Sequence, residues 1–171
     1  MRLVLSIAGL SLMAGQVAAA EMAVHLQIPE MSVAEYHRPY VAFWVARPDH
    51  SVAVNLGVWY QQEANREGAG TDWLKDIRQW WRRIGRTLDL PIDGVSGATR
   101  APGEYALEFS GTSGPLTDLA EGEYTLHVEA TREVGGRELV RIPFTWAPGK
   151  SFEKTVSGTS ELGTITLKLI P

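Results

Sequence analysis

The sequence predicts a mainly β protein, an immunoglobulin-like antiparallel β-sandwich with one inserted α-helix at about residues 72–86. About seven or eight short segments are rich in apolar, β-branched and aromatic residues, and turn residues separate them at the intervals typical of sandwiches. One segment has instead the 3.6-residue period of an amphipathic helix. Because the chain contains no cysteine, the disulfide-bonded antibody type of domain is excluded.

The 171 residues, 44% hydrophobic and 21% charged, indicate one globular domain after a signal peptide. Residues 1–20 begin with a charged Arg2, continue with an apolar stretch over residues 3–13 and end in three alanines. This is the pattern of a secretory signal, and the apolar stretch is shorter than the roughly 20 residues that span a membrane. We expect cleavage before Glu21, export to the periplasm and a mature domain over residues 21–171.

The charge and the residue types exclude several function classes. The net charge of −4 becomes −5 once the signal peptide, with its single charged residue Arg2, is removed, so no basic field attracts nucleic acid. The absence of cysteine excludes thiol catalysis and thiolate metal sites. The four histidines are scattered without metal-ligand spacing, so no metal site is predicted.

Three strands precede the helix. Residues 24–28 alternate apolar and polar side chains, which predicts a half-buried strand. Residues 39–46 are apolar on both faces and predict a central strand, with residues 52–60 as its hairpin partner. The polar segment 61–71 contains two glycines and predicts a loop.

The helix is predicted to begin after Asp72, a good N-cap, and to end near Gly85. One face carries an apolar stripe of Trp73, Ile77, Trp80, Trp81 and Ile84. The other faces carry Arg78, Arg82, Arg83 and Arg86. The helix and its flanking loops, residues 61–102, are longer than a strand connection needs, so we expect this insertion to be functional.

The remaining segments predict more strands. Residues 101–107 and 120–126 match each other, and each is a turn that leads into a strand whose Tyr and Leu share one face. Gly135 and Gly136 predict a hairpin between strands at 125–132 and 138–146. Two final strands, at 152–156 and 162–169, complete the domain.

After the helix, the segment Asp93–Arg100 reads DGVSGATR, a set of small and turn-forming residues around two hydroxyls. Such a composition indicates that another group must come close to the backbone of this segment. It resembles the D-x-x-[S/T]-G-A-T signature at which FAD:protein FMN transferases esterify the phosphate of FMN onto the last threonine. The resemblance implies that Thr99 carries the flavin, that Asp93 is the first position of the motif, and that the small residues Ser96, Gly97 and Ala98 let the transferase reach the threonine. The alternative is that residues 96–99 act only as a turn.

A wider set of motifs resembles the periplasmic family catalogued as "domain of unknown function 2271". These motifs are Arg38–Ala42, Trp73-Leu74, Trp80–Arg82, Asp93–Gly103, Gly122–Leu126 and elements of 132–144. Members of that family are associated with flavin transferases and with PepSY-type membrane electron carriers. The resemblance therefore implies extracytosolic electron transfer.

A bound flavin needs an apolar or aromatic wall and partners for its phosphate. Trp59, Trp73, Trp80 and Trp81 lie on or beside the segment that leads to Thr99, and one exposed tryptophan edge is expected to stack on the ring. The alternative for the helix tryptophans is packing on a sheet. Arg100 and the helix arginines would screen the phosphodiester, dock an acidic partner or form a solvated face.

Two hypotheses follow. In the first, the protein is a periplasmic electron carrier with FMN esterified to Thr99, rather than an enzyme with its own substrate; its partners are the transferase and a PepSY-type or other membrane redox protein. In the second, it is a non-catalytic immunoglobulin-like module that docks a membrane protein through its Trp/Arg surface. A hydrolase is disfavoured because no nucleophile is paired with a base.

Overall fold

A computed structural model describes residues 20–64, 68–147 and 149–171. All of the predicted signal peptide except Ala20 lies outside these residues. The strands within them are β1 Glu21–Ile28, β2 Tyr40–Ala46, β3 Val52–Tyr60, β4 Ser96–Ala98, β5 Gly103–Ser110, β6 Gly122–Thr131, β7 Arg137–Trp146, β8 Phe152–Ser157 and β9 Thr164–Ile170. In these ranges, no helix is long and apolar enough to cross a bilayer.

The strands form two sheets, which confirms the mainly β sandwich. One sheet has the order β5-β1-β9-β8 and is antiparallel throughout. The other has the order β4-β3-β2-β6-β7, and its first pair is parallel. Strand β4, which the sequence did not reveal, therefore adds one parallel pair to an otherwise antiparallel sandwich. The long insertion supplies the crossover that a parallel pair requires, because it returns the chain to the edge of β3 in the same direction.

The core between the sheets is built from alternating residues. In β1, the side chains of Met22, Val24, Leu26 and Ile28 are buried in it. They meet inward-facing residues of the other sheet, such as Phe43. The predicted alternation of the first strand is thus confirmed, although the strand begins three residues earlier, at the predicted mature N-terminus.

Strand β2 is buried on both faces, as its composition predicts. Val41, Phe43 and Val45 face the inter-sheet core, whereas Ala42 and Trp44 face outward. The outward residues are covered by the helical insertion, which forms a third layer on this sheet. A continuous apolar run is therefore what its central position requires.

The insertion is helical where predicted, but the prediction of one continuous helix is wrong. A 3₁₀ helix over Gly70–Asp76 is followed by α1, Arg78–Arg83, and a last 3₁₀ turn over Gly85–Thr87. Ala69 occupies the N-cap position of the first segment, and no side chain caps it. Asp72 therefore lies inside the first turn instead of capping it.

The 3₁₀ geometry changes which tryptophan is buried. With three residues per turn, the buried face steps through Leu74, Ile77 and Trp80. Trp73, which the helical period assigned to the buried stripe, is instead 43% exposed. Gly85 also has a different role from a helix terminator, because a Cβ there would lie 2.4 Å from the Trp80 ring.

A buried carboxylate from β6 fixes this layer to the sheet. Glu129 is fully buried and accepts hydrogen bonds from the backbone N–H groups of Gln79, at 3.1 and 3.0 Å, and Trp80, at 2.9 Å. It also accepts one from Nε of Arg137 at 2.6 Å. Because no described side chain of the insertion caps α1, Glu129 is its N-terminal partner.

The two matching segments fold alike. The hydroxyl of Tyr105 donates to the carbonyl of Ala101 at 2.7 Å, and that of Tyr124 donates to the carbonyl of Ala120 at 2.9 Å. Each tyrosine thereby fixes the turn four residues before it. The sequence similarity between the two segments therefore reflects the same tyrosine-to-carbonyl hydrogen bond, formed once in each segment.

His127 is a buried imidazole on the outer face of the second sheet. Its ring stacks on Trp44, with centroids 4.7 Å apart. Burial, assisted by the positive charges of Arg141 and Arg83 and by His50, lowers the pKa of His127 from 6.5 to about 4. The folded protein therefore holds this imidazole neutral.

This depressed pKa predicts a pH-dependent stability. Above pH 6.5 the imidazole is neutral in both the folded and the unfolded chain, and its pKa shift costs no stability. As the pH falls towards about 4, the unfolded chain takes up a proton that the folded protein does not, and the free energy of unfolding decreases by about 3 kcal/mol at most. His127→Phe keeps the stacked ring but cannot bind a proton. Urea unfolding at about pH 7 and about pH 4 should give a smaller loss of stability for the variant than for the wild type. Equal losses would contradict the neutral, buried imidazole.

The Glu129 network predicts a large effect of one substitution. Glu129→Gln leaves Arg137 without its ion pair and should lower the free energy of unfolding by about 3 kcal/mol, measured by urea denaturation. Glu123→Gln, at an exposed position on the same strand, is the matched control and should change it by less than about 0.5 kcal/mol. A Glu129→Gln variant as stable as the control would refute the proposed anchor.

Candidate functional site

A cavity of about 790 Å³ lies at one end of the five-stranded sheet. Its walls come from the segment before β2, the end of β3, the start of the helical insertion, the residue after β4 and the β6–β7 turn. Pockets that hold cofactors and drug-sized ligands measure roughly 300–1,000 Å³. The cavity is therefore large enough for a cofactor.

Thr99 forms part of the wall of this cavity and is half-buried. It follows β4 directly, and its backbone N–H donates to the carbonyl of Tyr60 at 3.2 Å. The predicted loop around it is thus partly wrong, because residues 96–98 pair with β3 as a parallel strand. The side chain sits beside a cavity on a backbone that the sheet holds in place.

The turn predicted in this segment lies just before β4. The backbone N–H of Ser96 donates to the carbonyl of Ile92 at 2.8 Å, and the hydroxyl of Ser96 accepts from the N–H of Ile92 at 2.9 Å. Gly94 has a φ of +72°, which favours glycine. Asp93 and Ala98 are exposed. Ser96 therefore closes the turn that leads into the strand.

Gly97 is required by a neighbouring indole. A Cβ at this position would lie 2.8 Å from Cδ1 of Trp59. Trp59 is 6% exposed and packs edge-on against Phe43, with centroids 4.8 Å apart. The guanidinium of Arg100 lies 5.3 Å from the centre of the Trp59 ring. Trp59 and Arg100 thus support the strand backbone, and neither lines the cavity.

The structure distinguishes between the helix tryptophans. Trp80 is fully buried, and its Nε1 donates to Oδ1 of Asn55 at 3.0 Å, so it offers no ring surface to a ligand. Trp81 is half-buried against the same outer cluster and does not line the cavity. Trp73 does line it. The exposed aromatic edge expected near Thr99 is therefore that of Trp73.

The cavity is rich in arginine. Its arginines are Arg38, Arg78, Arg132 and Arg137, and its acidic residues are Asp76 and Glu133. Of the helix arginines singled out in the sequence, only Arg78 lines it; Arg83, for example, donates to the carbonyl of His50 at 2.7 Å. Guanidinium groups suit phosphate oxygens, and the nearby Tyr40 and Trp73 rings suit a planar ligand.

A buried ion pair beside the cavity joins the β6–β7 turn to the connection between β8 and β9. Nε of Arg132 lies 2.9 Å from Oε2 of Glu161, and Oε1 of Glu161 accepts from the N–H of Gly136 at 2.7 Å. A Cβ at Gly135 would lie 2.6 Å from Cζ of Arg132. The left-handed position of the turn is occupied by Val134, with a φ of +50°. The hairpin is as predicted, but its first glycine makes room for a guanidinium.

Several cavity residues escaped sequence reasoning as site residues. Arg38 and Arg132 stand in the motifs on which the family resemblance rests, yet nothing in their spacing indicates a shared cavity. Tyr36 gave no signal at all. Only the sheet topology, which joins the start of β2 to the end of β6, brings these segments together.

A family model described as "Predicted periplasmic protein (DUF2271)" matches residues 21–164. The match begins at the predicted first residue of the mature chain and extends to the start of β9. No curated protein matches the chain, and no solved structure does. The periplasmic location expected from the sequence is confirmed by the family description. The chain therefore belongs to the DUF2271 family of predicted periplasmic proteins.

Proposed function

We propose that this periplasmic protein carries FMN as a phosphoester on Thr99 and transfers electrons to or from a membrane redox protein. The observation that carries the proposal is the position of Thr99. The threonine that completes the flavinylation-like motif lies on the wall of a cavity of cofactor size, next to aromatic and cationic side chains. Those features suit a phosphate-linked planar cofactor.

The backbone around Thr99 supports the attachment step. Ala98 is exposed and carries only a methyl side chain, so a modifying enzyme meets little obstruction from the residue before the threonine. The bond from the Thr99 N–H to the carbonyl of Tyr60 fixes the residue at the end of the sheet. The transferase would thus recognise an extended, ordered segment.

Other residues of the cavity have roles that follow from their chemistry. Arg38 and Arg78 are exposed cations on its wall and would bind phosphate oxygens. Trp73 presents an aromatic face on which a planar ring would stack. FMN itself would supply the redox chemistry, while the chain binds and orients it.

The partial exposure of Trp73 would also help electron transfer to a second protein. A ring packed against it would lie near the protein surface, where a second redox protein can approach. The partners that the family resemblance implies are an FAD:protein FMN transferase and a PepSY-type or other membrane electron carrier.

The second candidate function is a non-catalytic accessory module that docks a membrane protein. Its support is the outer surface of the insertion, on which Trp73, Arg82 and Arg86 are exposed. Such a surface fits an acidic partner, and binding through it would weaken as the salt concentration rises. This candidate needs no group on Thr99.

The ester on Thr99 predicts a specific modification pattern. When the protein is exported together with an FAD:protein FMN transferase, intact-mass spectrometry should find the added FMN, and denaturing gels should show flavin fluorescence. Thr99→Ala should lose both signals because the only attachment oxygen is removed. Thr131→Ala, which removes another threonine hydroxyl from the same cavity, should keep both.

Two results would refute the ester on Thr99. One is a wild-type protein that stays unmodified although the transferase modifies a known substrate in the same cells. The other is a Thr99→Ala variant that still carries covalent flavin. Unmodified protein that binds membranes in a salt-dependent manner would favour the accessory module.

A further inference from the structure

Two polar groups beside the cavity are buried without a hydrogen-bond partner among the described residues. They are Nη1 of Arg132 and the hydroxyl of Tyr36, and both residues line the cavity. The other nitrogens of Arg132 are used: Nε and Nη2 lie 2.9 and 3.3 Å from the carboxylate oxygens of Glu161. Cζ of Arg132 lies 5.9 Å from the centre of the Tyr36 ring, so the two groups are neighbours.

Two buried polar groups without a partner indicate that a hydrogen-bonding atom is bound beside them when the site is occupied. Buried polar groups in folded proteins are nearly always hydrogen-bonded, because leaving one unsatisfied costs its full desolvation penalty. Arg132 is only 9% exposed, so bulk water does not satisfy its free N–H group. Here both groups border a cavity in which a ligand atom can be placed.

The chemistry of the two groups defines that atom. A guanidinium can only donate hydrogen bonds. Burial raises the pKa of Tyr36 above its usual 10.0, so its phenol keeps its proton at neutral pH and can donate as well. A ligand atom that meets both groups must therefore be an acceptor, such as a carbonyl oxygen or a ring nitrogen.

The local charge favours a neutral acceptor over a phosphate. Glu161, 3% exposed, already neutralises Arg132, so the two donors carry little net charge between them. A dianionic phosphate is better matched by the exposed guanidinium groups of Arg38 and Arg78. The aromatic rings of Tyr40 and Trp73 in the same cavity suit a flat ligand.

We propose that Nη1 of Arg132 and the hydroxyl of Tyr36 form a subsite that donates hydrogen bonds to the acceptor atoms of a planar heteroaromatic ring. The identity of that ring as a flavin rests on the proposed function. The subsite itself does not depend on Thr99, because it recognises the ring and not the phosphate.

The test uses riboflavin, which has the flavin ring but no phosphate. Mature protein made without a transferase is titrated into riboflavin, and binding is followed by quenching of the flavin fluorescence. Tyr36→Phe should weaken binding roughly three- to tenfold, the effect of one lost hydrogen bond. Its urea-unfolding midpoint should not fall, because the hydroxyl that is removed has no partner in the unliganded protein.

Tyr124→Phe is the matched control. Its hydroxyl donates to the carbonyl of Ala120 near the opposite end of β6 from the cavity. Its removal should lower the unfolding midpoint and leave the riboflavin affinity unchanged. Arg132→Lys keeps a cation opposite Glu161 but removes Nη1, so it should weaken riboflavin binding at least as much as Tyr36→Phe.

The subsite is overturned if the wild type does not quench riboflavin fluorescence, or if Tyr36→Phe binds riboflavin as tightly as the wild type. These outcomes are independent of the ester. Absence of covalent FMN combined with binding that is sensitive to Tyr36 would remove the role of Thr99 and keep the subsite. Covalent FMN combined with binding that is insensitive to Tyr36 would do the reverse.

Discussion

The carboxylate of Glu129 is the interaction on which the functional end of the molecule depends. It is a charged group in the interior, and it is tolerated because three backbone bonds to two N–H groups and one guanidinium bond surround it. Those bonds join β6, β7 and the helical layer. Trp73 lies about two turns before Gln79 and Trp80, the residues that Glu129 binds, and Arg137 is the direct ion-pair partner of Glu129. One buried charge therefore positions two walls of the cavity.

The same interaction explains why the insertion can be ordered at all. A six-residue helix has almost no stability of its own, because nucleation costs more than so few hydrogen bonds return. Its order comes from burying Leu74, Ile77 and Trp80 on the sheet and from the capping carboxylate. The first segment has 3₁₀ geometry, and that geometry leaves Trp73 exposed.

How far the sequence predicts the structure depends on how local each signal is. Strands such as 24–28 and 52–60 were predictable because alternation and β-branched residues act within a few positions. Strand β4 was not, because its three residues acquire strand geometry only from β3, more than thirty positions earlier. The site shows the same division. Thr99 was indicated by a contiguous motif, whereas Tyr36 and Arg132 meet only through the pairing of β2 with β6.

The parallel pairing of β4 with β3 has a mechanical consequence. A residue at the tip of a long surface loop changes position as the loop moves, and a group bonded to it would move over a wide range. Thr99 instead inherits the stiffness of a five-stranded sheet braced by an indole. The point of attachment of any group on its oxygen would therefore stay nearly fixed relative to the sheet, and any movement of that group would come from the rotatable bonds of the group itself.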